Sequence, residues 1–318
     1  MNTFKKIGLT ALAGSLVVTS AVAGEMSVAG SASIGLKNTS KSATGKSWTM
    51  GNQLTFSGSG ELDNGMNVSL SFVLDQADDS TTGIATAPFD SHSVTISSDT
   101  MGTLVFSGEG GSSAQSAIDT TAAGDLWDNG SGFTKPRSSE SGDNSMLYTL
   151  PTFMDDLTVK ASYSPGGAGG GSATSYAVNY SGVEGLSVDY GVGQTETIGS
   201  EEEHTTMKAS YAYGSFTLAV SNNENAYDLA SSTDEEISGW KVSYTVSDDL
   251  SVSYASETID TEGAAVDEEA ESISVSYTTG GVTLSATQYE FSGRGNSNTE
   301  ANGTGDAERW SLSASFAF

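Results

Sequence analysis

The sequence predicts an all-β chain: a sixteen-stranded antiparallel barrel that crosses a membrane. Three observations lead there. Apolar residues alternate with small or polar ones over run after run. The runs are joined by connections that are short and long by turns. The chain has no Cys, and no stretch of 18 apolar residues follows residue 23. Alternation at period two gives each strand one apolar and one polar face. The missing apolar stretch excludes a helical membrane protein but not a barrel, whose strands are only half apolar. The missing Cys removes the disulfide framework on which many small secreted domains rely.

The chain opens with an export signal. Lys5 and Lys6 precede the apolar run from Ile7 to Val18, which is too short to span a bilayer, and Ala21-Val22-Ala23 is a small-x-small cleavage pattern. Residues 1–23 are expected to be a cleaved signal peptide and 24–318 the barrel. Without Lys5 and Lys6, 10 of the 12 basic residues face 40 acidic ones, a formal charge of −30. That balance excludes a nucleic-acid partner, which needs clustered Lys and Arg. It suits a pore mouth that attracts cations.

The strands are expected at 26–37, 47–61, 66–75, 90–98, 103–109, 144–150, 157–164, 174–182, 186–195, 204–213, 215–222, 236–246, 250–258, 269–278, 281–291 and 306–318. The last is the cleanest: Trp310, Leu312, Ala314, Phe316 and Phe318 alternate with Ser311, Ser313, Ser315 and Ala317. Short turns, such as Asp63-Asn64-Gly65, alternate with longer loops at 38–46, 76–89, 110–143, 165–173, 196–203, 223–235, 259–268 and 292–305. A barrel with short turns at one end and long loops at the other matches the two sides of an outer membrane, periplasmic and external. Trp48, Trp240, Trp310 and Tyr163 fall near the long-loop ends, as an interfacial aromatic girdle would. Alternation also builds soluble sandwiches. The strand number and the girdle favour the barrel, whose sixteen strands enclose a water-filled lumen.

One stretch departs from the pattern. From Ser107 to Asp143 no period holds, and a structureless segment of that length in a regular β chain is expected to have a function. It is expected to fold into the barrel and narrow it. It carries Asp119, Asp125, Asp128, Glu140 and Asp143, with Lys135 and Arg137, and Trp127 as a candidate anchor. Parity places Lys37, Lys160, Lys208, Lys241 and Arg309 on the polar face of the wall, though parity gives a face and not a depth. Acidic runs such as Glu201-Glu202-Glu203, expected in a loop, are candidate Ca²⁺ ligands or a solvated rim. No catalytic constellation is discernible: His92 and His204 lie on separate strands, and the glycine-rich run 166–171 lacks the features of a phosphate loop.

Taken together, the signal peptide, the opening strand from Met26 to Leu36, the strand number, the segment Asp143-Asn144-Ser145-Met146-Leu147-Tyr148 before Leu150-Pro151, and the terminal Phe318 resemble the general porins of Gram-negative bacteria, most closely the alphaproteobacterial type. The resemblance implies an outer-membrane homotrimer among lipids and lipopolysaccharide. It implies passive diffusion of small hydrophilic solutes, a third external loop inside the lumen, and a barrel-assembly role for Phe318. The chain departs from the family in its few basic residues, so a weaker transverse field and a mild preference for cations are expected. The alternatives are a pore preferring sugars, phosphate or peptides, and a plugged structural or adhesive barrel. No enzymatic activity and no cofactor other than structural Ca²⁺ are expected.

Overall fold

The computed structural model describes residues 25–39, 45–75, 90–140, 142–166, 171–197, 199–229, 232–299 and 303–318. The expected signal peptide and the centre of the glycine-rich run, 167–170, lie outside them. The described residues form sixteen strands: β1 (Glu25–Thr39), β2 (Lys46–Glu61), β3 (Asn67–Asp75), β4 (Ser91–Ser98), β5 (Gly102–Glu109), β6 (Ser145–Thr149), β7 (Leu157–Ser164), β8 (Ser172–Val183), β9 (Leu186–Thr197), β10 (Ser200–Tyr213), β11 (Phe216–Tyr227), β12 (Glu235–Ser247), β13 (Leu250–Thr261), β14 (Glu268–Thr279), β15 (Val282–Arg294) and β16 (Gly305–Ala317). Each strand pairs with its neighbours in sequence, and β1 pairs with β16 to close the barrel.

The barrel is apolar outside. Ile34, Leu70, Val94, Leu218, Ile273 and Leu312 are among many large apolar side chains left exposed on its outer face. So much contiguous apolar surface is untenable in water and is what hydrocarbon requires. The expected aromatics Trp48, Tyr163 and Trp240 are exposed on that face. A second group marks the short-turn end: Tyr180, Tyr213, Phe216, Tyr244, Tyr277 and Phe318. Phe216 and Tyr244 pack at 4.7 Å between ring centres.

Strand boundaries follow the expected ones closely at the short-turn end and overrun them at the other. The loop expected at 196–203 is a tight hairpin, with Thr197 paired to Ser200. β11 and β13 likewise run on to Tyr227 and Thr261. In these extensions the outward face is polar or small and the large apolar residues, Tyr227 and Ile259, share the inward parity, so hydrophobic alternation gives no outward signal there. Strands β8 to β16 have 12 to 14 residues, whereas β3 to β7 have 5 to 9, so the wall is taller on one side.

Closure depends on the last residue. Gly30 donates its N–H to the Phe318 carbonyl at 2.7 Å, and Phe318 donates back to the Gly30 carbonyl at 2.9 Å. The Phe318 ring, 75% exposed, lies over Gly30, where a Cβ would sit 2.4 Å from it. Deleting Phe318 removes both bonds at the seam, each contributing about 1 kcal/mol. The truncated barrel is expected to lose its heat-modifiable gel mobility at a lower temperature than the full chain.

Candidate functional site: the pore constriction

The aperiodic segment lies inside the barrel, but its boundaries differ from expectation. Ser107, Gly108 and Glu109 belong to β5, so the loop proper is 110–144. Gly111 and Gly142 close its neck with reciprocal backbone hydrogen bonds of 3.1 and 2.8 Å. Among the described residues, the wall residues that meet the loop have the lumen-facing parity, except Arg294, which the irregularity after Phe291 turns inward.

The outgoing leg crosses the wall strand by strand. Ala114 donates to Ser162 of β7 at 2.8 Å, and Gln115 donates through its backbone to Ser175 of β8 and through its side chain to Thr206 of β10. Lys208 of β10 donates to the carbonyls of Ile118 and Thr120 at 2.9 and 3.0 Å. Asn223 of β11 donates to the Asp119 carbonyl, and Ser221 accepts from Ala122. Arg309 of β16 donates to the Asn129 carbonyl and lies over the Tyr289 ring at 5.5 Å. The returning leg sits nearer the mouth. There Arg137 meets Glu202, and Glu140 donates through its backbone to Thr195 of β9.

Three buried charged residues of the wall clamp the loop. Glu257 of β13, 1% exposed, accepts from the Thr121 hydroxyl at 2.5 Å and the Trp127 N–H at 3.2 Å. Glu268 of β14, fully buried, accepts from Thr134 at 2.8 Å and from Gly295 of the β15–β16 loop at 2.5 Å. Arg294 of β15, 2% exposed, donates to the carbonyls of Ser131, Thr304 and Gly305. The constriction loop and the β15–β16 loop are so close that a Cβ on Gly132 would collide with the Gly303 carbonyl oxygen, and Gly132 also has a positive φ of 91°. An apolar cluster completes the seat: Leu126 and Ala123 pack with Ala255, Ala270, Tyr289, Phe291 and Ala307, and Phe133 meets Phe291 edge-on at 5.4 Å.

The candidate residues separate into groups. Asp128 and Glu140 are exposed loop carboxylates. Asp125 holds a local turn by accepting from the Thr121 N–H at 2.9 Å. Asp143 stands at the neck. Asp119 is partly buried; burial, then the charge of Asp125, pushes its carboxyl up to about 6, against the lowering pull of Ser138 and Lys208. On the wall, Lys208 and Arg309 hold loop carbonyls and are not free lumen charges. Lys37, Lys160 and Lys241 face the lumen without a hydrogen bond among the described residues. Trp127 contributes its backbone N–H, while Leu126 and Phe133 supply the apolar anchorage. The Glu201-Glu202-Glu203 run is in β10 and not in a loop. Alternation turns Glu202 inward to Arg137 and leaves Glu201 and Glu203 on the opposite face, so the three do not converge on one ion.

Glu257, Arg294, Gln115 and Asn223 carry no mark in the sequence, and Glu268 stands out there only as a member of the acidic run 267–269. A signal existed in the glycines of the strands, which mark close approach of another backbone or side chain. A Cβ on Gly191 would meet Ile118 at 2.8 Å, one on Gly193 would meet Ser139 at 2.5 Å, and one on Gly239 would meet Thr121 at 3.2 Å.

A loop pinned across the lumen of a sixteen-stranded barrel agrees with a family match. The model of the Gram-negative porins matches residues 8–275. The chain belongs to the Gram-negative porin family. No curated protein sequence matches this porin. Solved structures share its fold at low identity. The anion-selective porin from Comamonas acidovorans is 14% identical with a TM-score of 0.68, over 93% of this chain and all of that one. In vitro-folded OmpT of Vibrio cholerae in its trimer form is 13% identical with a TM-score of 0.67, over 93% of this chain and 99% of that one. A triple mutant of the Rh. blastica porin is 16% identical with a TM-score of 0.66, over 92% of this chain and all of that one. The porin is therefore an outer-membrane channel.

Two predictions follow from the clamp and the loop charges. Glu257→Ala removes the shared acceptor of two hydrogen bonds, each contributing about 1 kcal/mol, and leaves the Thr121 and Trp127 donors unpaired. Single-channel records of this variant are expected to show larger and noisier open currents than wild type. Asp119 is charged above about pH 6 and neutral below it. The permeability of cations relative to anions is thus expected to fall as pH drops through that value, and Asp119→Asn to remove this component from reversal potentials measured across pH.

Proposed function

We propose that this porin is a mildly cation-preferring pore for passive diffusion of small hydrophilic solutes, narrowed by residues 110–144. The observation that carries this reading is the distribution of charge at the constriction. The loop's exposed carboxylates, Asp128 and Glu140, remain in the passage, whereas Lys208 and Arg309 spend their donors on loop carbonyls. Fixed acidic groups in a narrow lumen concentrate cations and raise a barrier to anions. The passage runs along β1 to β5, whose lumen faces carry hydroxyls such as Ser33, Thr49, Thr55, Ser71 and Thr95.

Those hydroxyls favour a second reading, a preference for neutral polyhydroxylated solutes. It predicts that sugars block the ion current at concentrations where uncharged non-sugar osmolytes do not. A homotrimer is also proposed: the short strands β3 to β7 carry an apolar outer face suited to a second copy, and V. cholerae OmpT is recorded as a trimer. Lipopolysaccharide and outer-membrane lipid would surround the remaining faces.

Reconstitution into a planar bilayer under a salt gradient tests the main reading. Openings in groups of three with a reversal potential favouring cations are expected, and a potential favouring anions would sink it. Excising residues 117–127 removes the contacts to Lys208, Asn223, Ser221 and Glu257 and is expected to raise conductance. Unchanged conductance would mean that the loop does not set the narrowest point.

A further inference from the structure

The buried imidazole of His204 has no part in the constriction as described. Its side chain is fully enclosed where β10 meets β11 under the returning leg of the loop. Nδ1 lies 3.0 Å from Oδ1 of Asn225. Asn225 donates through Nδ2 to Glu235 of β12 at 3.4 Å, which turns its oxygen toward the ring, so Nδ1 carries the hydrogen. In the neutral ring Nε2 is then a bare acceptor, and it has no hydrogen-bond partner among the described residues. A buried polar atom left unpaired is costly and calls for a reason.

What Nε2 does face is Glu202. Oε2 of that carboxylate is 4.0 Å away, and its Oε1 accepts from Arg137 of the loop at 2.9 Å. The Arg137 guanidinium also lies 5.7 Å over the Tyr227 ring. The charged and titratable groups around the imidazole are therefore Glu202 on its own strand, Arg137 from the loop, Tyr227 from β11 and, one step further, Glu235 from β12. On the β9 side the residue opposite is Gly193, which contributes no charge.

We propose that His204 is a positioning residue for Arg137, releasing that guanidinium into the passage when the imidazole takes up a second proton. A proton from the lumen adds to Nε2 and converts the orphaned acceptor into a donor aimed at Glu202. The carboxylate then turns to the imidazolium, and two cations compete for one anion. Arg137 is the partner free to leave, since its side chain is largely exposed while Glu202 is mostly buried. Acidification thus adds a positive charge to the constriction. The inference rests on the porin reading, and it holds whichever ion the pore prefers at rest.

The test measures reversal potential at about pH 8 and at about pH 5, a window that reaches below the ordinary imidazole range because burial disfavours the charged ring against the pull of Asn225 and Glu202. Every channel also carries Asp119→Asn, which removes that carboxylate's own titration. With His204 and Arg137 intact, the cation-to-anion permeability ratio is expected to fall about fourfold on acidification, since one elementary charge roughly 10 Å from the path in water disfavours a cation about twofold and favours an anion about twofold. His204→Gln should abolish the step, and Arg137→Gln should reduce it to the contribution of the enclosed imidazolium beside Glu202. A step that survives His204→Gln overturns the proposal. A second measurement is independent of that variant's folding. The chain has two histidines, so His92→Gln leaves a single imidazole signal in NMR. An imidazole still neutral at pH 5 also overturns the proposal. The sign of the potential at pH 8 tests the cation preference separately from the step.

Discussion

In hydrocarbon no backbone N–H or C=O can be left to water, and this requirement shapes the whole chain. Each unsatisfied group costs several kcal/mol, so a sheet in lipid must close on itself. The continuous ladder from β1 to β16 meets that requirement, and the bonds between Gly30 and Phe318 extend it to the last residue. Closure explains why a chain with 38 glycines, no disulfide and a modest apolar fraction can be a stable object. Its stability rests on backbone hydrogen bonds in a medium that offers no competing partner. The side chains are left to choose between lipid and lumen.

That choice empties the interior of an ordinary core. With apolar residues outside and hydroxyls inside, two strand faces cannot pack across the lumen. Among the described residues, the buried apolar clusters lie between the inserted loop and the wall behind it. There the buried residues are a mixture: Leu126, Phe291 and Ile259 beside Glu257, Glu268 and Arg294. Buried charges without partners would be ruinous, so each is met by hydrogen bonds from the loop, and Glu268 and Arg294 also by backbone groups of the β15–β16 connection. The arrangement works in both directions. The wall charges are tolerable because the loop covers them, and the loop keeps one conformation because moving it would expose or orphan them.

The sequence made the barrel legible because period-two alternation is strong wherever one face meets lipid. All sixteen strands could be placed from residues such as Trp310, Leu312 and Phe316. It was silent where both faces are polar, so the hairpin that continues through Glu201, Glu202 and Glu203 read as a loop and as a candidate ion site. At the constriction, parity assigned Lys160, Lys208, Lys241 and Arg309 to the lumen face. Depth along the strand, which decides whether a lysine is free or holds a carbonyl, is a property of register and loop path. Neither is encoded within one strand. Glu257 and Glu268 fell into the same gap, since among 40 acidic residues nothing in the local sequence marks the buried ones. The strand glycines at 191, 193 and 239 were the readable trace, because an absent side chain in a lumen-facing row leaves room for something else.

The scarcity of cations then has a structural consequence. A loop carrying many backbone carbonyls toward a wall needs donors, and only 10 basic residues remain outside the expected signal peptide. Lys208, Arg294 and Arg309 supply donors to loop carbonyls at three places, and Arg137 spends its own on Glu202. A guanidinium or ammonium committed to a carbonyl keeps its charge, but it is fixed behind the loop and partly shielded from the passage. Glu257, Glu268 and Asp125 are likewise committed to N–H groups, but Asp128 and Glu140 accept no side-chain hydrogen bond among the described residues. Asp128 and Glu140 are left where solutes pass. The acidic character of the constriction thus follows from which groups the fold must use to hold the loop in place, and the selectivity of the pore is coupled to the same contacts that give it its shape.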